Sequence, residues 1–214
     1  YHRRVMHSAL GRFLDQPLDL EVGLVDPDGS ERVLPFTPRG ELLYNCEQFE
    51  RLNSITYRGY CRKLHLRFEF NVHSVFYPQD EGLCTMPVFY LEMRLNPGGV
   101  IRRVAPSNVP SAARLMFRIR RPGTQIEASD RGGGRLDLHY HTELKPDLMP
   151  QCGQDRQVEV HERIQSLNPG TVPDKDGAGL SLELPVTEQD SGVKWRLVWG
   201  AYCGESVLEV DNGT

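Results

Sequence analysis

The stretch RKLHLRFEFNVHSVFYPQDE, residues 62–81, decides the fold class. Leu64, Leu66, Phe68, Phe70, Val72 and Phe76 fall on one parity, and Lys63, His65, Arg67, Glu69, Asn71 and His73 on the other. Successive side chains of an extended chain point to opposite faces, so this alternation predicts a strand with one buried and one solvated face. At about 3.3 Å per residue it would span on the order of 40 Å, longer than most strands, which implies a large sheet. Burying five or six such side chains contributes roughly 1.5–3 kcal/mol each before chain entropy is counted. A slip of one residue would bury Arg67 and Glu69 instead, so the register is fixed. The run ends at Pro78, with Asp80 and Glu81 behind it.

The same two-residue grammar recurs along the chain. LDLEVGLVDPDGSERVLPF reads as a hairpin, with Pro27 presetting the turn and Gly29 tolerating positive φ. MPVFYLEMRL turns Phe89, Leu91, Met93 and Leu95 inward, and SAARLMFRIRRPG turns Leu115, Phe117 and Ile119 inward. GRLDLHYHTEL, RQVEVHERIQSL, GLSLELPV, VKWRLVWGAY and SVLEVD continue the series. Two segments read as helix. Val5, Met6, Ala9, Leu10, Phe13 and Leu14 have helical spacing before Pro17. TPRGELLYNCEQFERLN offers Thr37 as cap, Pro38 in the first turn, and Leu42, Cys46 and Phe49 on one stripe. Strands without intervening helices predict an all-β protein: a large two-sheet antiparallel β-sandwich of supersandwich type, with one or two short helices near the N-terminus.

The 214 residues, 39% of them hydrophobic, suffice for one core, so a single domain over residues 1–214 is expected. The start YHRRVMHSAL has no initiator methionine and is no signal sequence, so the chain is expected to be a piece of a longer protein. A net charge of −4 argues against nucleic acid as a partner, and no apolar run approaches a membrane span. Five widely spaced cysteines without a C-x-x-C pair disfavour a disulfide framework or a zinc knuckle. Reduced thiols and a cytoplasmic location are the expectation. Nearly all positive charge is arginine.

No catalytic residue can be named from motifs. The chain lacks a G-x-S-x-G elbow, a Walker loop and a dinucleotide fingerprint, and no cofactor is expected. In GGGRLDLHYHTEL, His139 and His141 share a strand face with Glu143, and the G-x5-H-x-H spacing from Gly133 imitates half of a cupin metal motif. The cupin glutamate position, four or five residues beyond the second histidine, holds Lys145 or Pro146, so a solvated strand face is the plainer reading. His161 falls on the polar face of its own strand. At the FYPQDE corner, Tyr77, Asp80 and Glu81 are candidate ligand-binding residues, although adjacent carboxylates in a turn rarely hold the separation that sugar hydrolysis needs. Trp195 and Trp199 share a face with Leu197; they pack inward or, if exposed, form a sugar-stacking platform.

The unit SITYRGYCRKLHLRFEFNVHSVFYPQDEGLCTMPVFYLEMRLNPGG, with FNVHSVFYPQDE and MPVFYLEMRL as its marks, resembles the amino-terminal β-sandwich of the non-lysosomal glucosylceramidase (bile-acid β-glucosidase) family and related glycosidases. GAGLSLELPVTEQDSGVKWRLVWGAY is similar to that family's closing strand pair. The resemblance implies a large sandwich packed on a helical toroid that carries the catalytic acid and nucleophile, so no catalytic residue is carried over to this chain. It implies a non-catalytic, carbohydrate-associated module of a glycoside hydrolase type of protein, with a helical catalytic domain or an oligosaccharide as partner. The alternatives are a free-standing glycan- or protein-binding sandwich, a cupin-like metal-binding enzyme using His139, His141 and Glu143, and a structural or assembly sandwich.

Overall fold

The computed structural model describes residues 20–26, 28–36, 41–64, 66–75, 77–80, 82, 86–97, 113–120, 123–144, 156–174, 178–183 and 193–203. Among these residues fourteen strands run in order: β1 Leu20–Val25, β2 Glu31–Val33, β3 Glu41–Leu42, β4 Tyr44–Arg51, β5 Ser54–Cys61, β6 Leu66–Ser74, β7 Val88–Pro97, β8 Arg114–Ile119, β9 Glu127–Gly132, β10 Arg135–Leu144, β11 Arg156–Ser166, β12 Thr171–Pro173, β13 Gly179–Glu183 and β14 Val193–Cys203. They form a six-stranded sheet, β12-β13-β8-β1-β2-β3, and an eight-stranded sheet, β4-β5-β6-β7-β14-β11-β10-β9. Pairing is antiparallel except between β2 and β3. The protein is thus the all-β, two-sheet sandwich that the alternation predicts. No helix among the described residues is long and apolar enough to cross a membrane.

The inward parities meet between the sheets. Val22 and Leu24 of β1, Leu115 and Phe117 of β8 and Leu180 of β13 face Phe68, Phe70, Leu91, Met93, Leu136, Ile164, Trp195 and Leu197 in one cluster. Phe117 bridges the layers, its ring centroid 6.4 Å from Phe70 and 6.0 Å from Trp199. Such aromatic contacts add about 0.5–1.5 kcal/mol beyond area burial. The β1–β2 hairpin closes as expected: Gly29 has a φ of 85°, and its N–H donates to the Asp26 carbonyl.

Three local expectations are corrected or fall elsewhere. Of the segment expected as a helix from Thr37, residues 37–40 lie outside the described residues and the part from Glu41 is strand, β3 and β4. Asn45 takes a φ of 49° and the β4–β5 register shifts between Tyr44 and Glu47. This bulge breaks the two-residue period, and the broken period mimics a helical stripe. Leu42 and Phe49 are exposed rather than packed. The strand expected from residue 62 begins at Leu66, because 62–64 form the turn between β5 and β6. Leu64 keeps the right parity and is buried, so alternation alone does not reveal the reversal. Lys63 in that turn donates to Asp28 at 2.6 Å and lies 3.0 Å from the buried Asp26, tying the turn to the β1–β2 hairpin of the other sheet. The helix expected over residues 5–14 lies outside the described residues.

The two sheets differ in how they treat their outer faces. On the six-stranded sheet, Val25, Val33 and Met116 form a second buried cluster. Beside them Arg118 is buried and ion-paired with Glu31 at 2.6 Å, Asp174 at 2.9 Å and Glu21 at 3.3 Å. Burial alone would lower the guanidinium pKa, but the carboxylates of Asp174 and Glu31 outweigh it and raise it. Gly179 makes room for this cation: a Cβ there would stand 2.7 Å from Arg118 Cγ. The eight-stranded sheet keeps its outer face open, with charged and polar side chains beside the exposed aromatics Tyr44, Phe49 and Tyr90.

One carboxylate is buried on the inward face of that sheet. Glu162, 3% exposed, accepts from Trp199 Nε1 at 2.9 Å and from the Tyr140 hydroxyl. Replacing Glu162 with Ala leaves two buried donors without this acceptor and is expected to lower stability by about 3 kcal/mol in urea unfolding. Glu159→Ala, three residues away but facing outward, is expected to change it by less than about 0.5 kcal/mol.

Candidate functional site

The outer face of β9, β10, β11 and β14 is built by register. One row across the strands is Ser129, Asp137, Arg163 and Gly200. The next row aligns Glu127, His139 and His161, and beyond it His141 pairs with Glu159. Cross-strand neighbours on one face have Cβ atoms about 4.5–5.5 Å apart, so residues from three separate segments become one cluster.

In the first row Asp137 gathers guanidinium groups. Arg163 holds it in a fork, Nε to Oδ1 at 2.7 Å and Nη2 to Oδ2 at 3.2 Å, with Arg131 Nε at 3.1 Å and Arg135 Nη2 at 3.5 Å. The Arg163 hydrogen bonds, helped by Arg135 and Arg131, hold the Asp137 carboxyl down to about 2. In the second row the His139 and His161 rings stack with centroids 4.9 Å apart, and Glu159 Oε1 lies 2.6 Å from His139 Nε2 and 3.3 Å from His161 Nε2. His139 Nδ1 is 3.5 Å from Glu127. The two rows line a groove of about 540 Å³ with Ser129 and Arg131, and the start of β7 at Pro87 and Val88 and the side-chain-free Gly200 lie along it.

The residues singled out in the sequence fare differently. His139 and His141 do share a face, their centroids 5.4 Å apart, but it is the outer face of an open sheet, whereas a cupin metal sits inside a closed barrel. Glu143 holds the register position opposite Gln157, one step past the His141–Glu159 pair, and the carboxylate that meets the imidazoles is Glu159. Trp195 and Trp199 are 0% and 3% exposed and form no platform. Their indole N–H groups are used inside, Trp195 donating to Ser166 Oγ at 3.0 Å and Thr171 Oγ1 at 3.2 Å. Tyr77 is 54% exposed in a turn where Asp80 N–H donates to the Tyr77 carbonyl; Glu81 lies outside the described residues. Sequence reading passed over Glu159 and placed His161 only on a polar face. Their signal was the outward parity of VEVHERI, which becomes informative only once β11 is known to pair with β10.

Asp137 carries a pH signature. Its folded pKa of about 2 lies below the unfolded value of about 3.9, so its network stabilises the protein above about pH 4 and that contribution fades as pH falls toward 2. Asp137→Asn is expected to be less stable than the unmodified chain by about 1 kcal/mol at pH 6, and the gap should narrow to about a third of that by pH 2.5 in urea titrations. Comparison with models of known protein families and with curated protein sequences finds no match, so the chemistry of this face carries the functional argument.

Proposed function

We propose that this chain is the non-catalytic β-sandwich module of a carbohydrate-active protein of glycoside hydrolase type, and that the outer face of its eight-stranded sheet meets a glycan. The observation that carries the reading is the groove itself. It is lined by planar, hydrogen-bonding side chains that are held in place by one another rather than by the backbone of a loop. Sugar hydroxyls are donors and acceptors at once, and arginine forks beside carboxylates supply both complements. The charges around the groove offset each other: Arg131, Arg135 and Arg163 stand against Asp137, Glu127 and Glu159. That balance favours a neutral polyhydroxylated ligand over a phosphate-rich one. The broad two-sheet architecture agrees with the supporting sandwich implied by the resemblance to the glucosylceramidase family, and the exposed Tyr77 corner offers an aromatic contact to a neighbouring helical domain or to the same sugar.

The reading is tested by screening neutral oligosaccharides with amide NMR, because the buried tryptophans make fluorescence a poor reporter. Shifts clustered at Ser129, Arg131, Asp137, Arg163 and Gly200 are expected. Arg163→Ala should weaken binding about tenfold, the loss of one charge-assisted bidentate contact. Shifts confined to other surfaces, or none with any neutral glycan, would remove this face from the proposal.

A further inference from the structure

We infer that His139, Glu159 and His161 form a binding site for a divalent transition-metal ion of the zinc class. Three donors of the types that zinc selects, two imidazole nitrogens and one carboxylate oxygen, come from adjacent strands with their ligand atoms all within 4.8 Å of one another. A tetrahedral ion bound at about 2.0–2.1 Å sets its donors roughly 3.3 Å apart. The His161–Glu159 distance of 3.3 Å already matches this, and the His139–Glu159 contact needs to open by well under the width of an atom.

A second observation points the same way. His139 Nε2 is closed off from solvent and has no aligned hydrogen-bond partner, although Glu159 Oε1 stands 2.6 Å away. Nε2 of His139 and Nε2 of His161 converge on one Glu159 oxygen, so a single ion set among the three atoms would meet all of them. The opposite nitrogen, Nδ1, lies 3.5 Å from Glu127 Oε2, so Glu127 is placed to orient the ring and to strengthen Nε2 as a donor. His139 and His161 stack nearly parallel, 23° between planes, and their Nε2 atoms are turned to the same Glu159 oxygen. Three protein donors leave at least one coordination position for water or for a ligand in the groove, which both histidines line.

The mixed nitrogen and oxygen set excludes the hard cations: magnesium and calcium take all-oxygen shells and should not compete. His141 is a neighbour of the site and no part of it, since its ring meets His139 edge to face. The site does not depend on the glycan reading, because the ion is tested alone.

The experiment is titration of the purified chain with zinc chloride by calorimetry, and with cobalt(II) by absorption spectroscopy. One equivalent is expected to bind, unchanged by millimolar magnesium. The cobalt spectrum should lack a sulfur charge-transfer band, since thiolates are not among the donors. His161→Ala and Glu159→Gln should each weaken affinity at least about tenfold, and His141→Ala less than about threefold. Nitrogen-15 NMR of the imidazoles in the unmodified chain provides a readout that needs no variant: Nε2 of His139 and His161 should shift with zinc. The inference is overturned by absence of stoichiometric binding, by a sulfur band, by His161→Ala binding like the unmodified chain, or by loss of affinity in His141→Ala equal to that in His161→Ala.

Discussion

The pairing register of β10 against β11 is the constraint on which the outer face depends. It is set from the inside. Leu136 and Leu138 of β10 and Ile164 of β11 are sealed in the core, and Glu162 is held by Tyr140 and Trp199. Sliding one strand by one residue would turn Glu159, His161 and Arg163 into the core and expose Val160 and Ile164. Sliding by two in either direction would keep parity but part Asp137 from Arg163, which this register sets directly opposite each other. The apolar core therefore selects parity, and the polar pairs select among the registers that parity allows. A buried carboxylate that stabilises little by itself still contributes in this way, by making the competing registers worse.

Two acids three residues apart on β11 show how far side-chain direction governs chemistry. Glu159 and Glu162 have the same composition and lie on the same strand, yet one faces the imidazoles in partial contact with water and the other serves as acceptor for an indole and a phenol in the core. Their odd spacing puts them on opposite faces. The interior acid is locked by its donors. The exterior acid is free to exchange the partners it holds, and a ligand or ion on that face competes only with solvent-accessible contacts.

Much of the fold was legible because one-strand parity is a local property. Leu66, Phe68, Phe70 and Val72, Leu91, Met93 and Leu95, and Leu136 and Leu138 are all buried as alternation requires, and the hairpin turn closes from Asp26 to a Gly29 of positive φ. What escaped is non-local or breaks the period. The left-handed Asn45 adds a residue to β4 and scrambles its rhythm, so that strand read as a helix. The reversal at 62–64 is fixed by Lys63 reaching Asp26 and Asp28, some thirty-five residues away, and nothing nearby signals it. For the same reason the histidine cluster was half visible. His139 and His141 are neighbours within one strand, but His161 and Glu159 join them only through an inter-strand register that no spacing motif encodes.

The asymmetry between the sheets explains why the reactive side chains collect where they do. In the six-stranded sheet the outward positions of β1 and β8 are buried as well, and its buried cation, Arg118, has carboxylates arrayed around it. A ligand that sought Arg118 would have to displace those contacts in a medium of low dielectric, where each is strong. On the eight-stranded sheet the arginines around Asp137 and the imidazoles beside Glu159 are tethered by a few exchangeable, half-exposed bonds on a backbone pinned from behind by Trp195, Leu197 and Ile164. Rigidity from the core and lability at the surface are thus supplied by opposite faces of the same strands. A binding surface made in this way can change its outward residues with little effect on folding, because the parity that holds the sheet together runs through the residues in between.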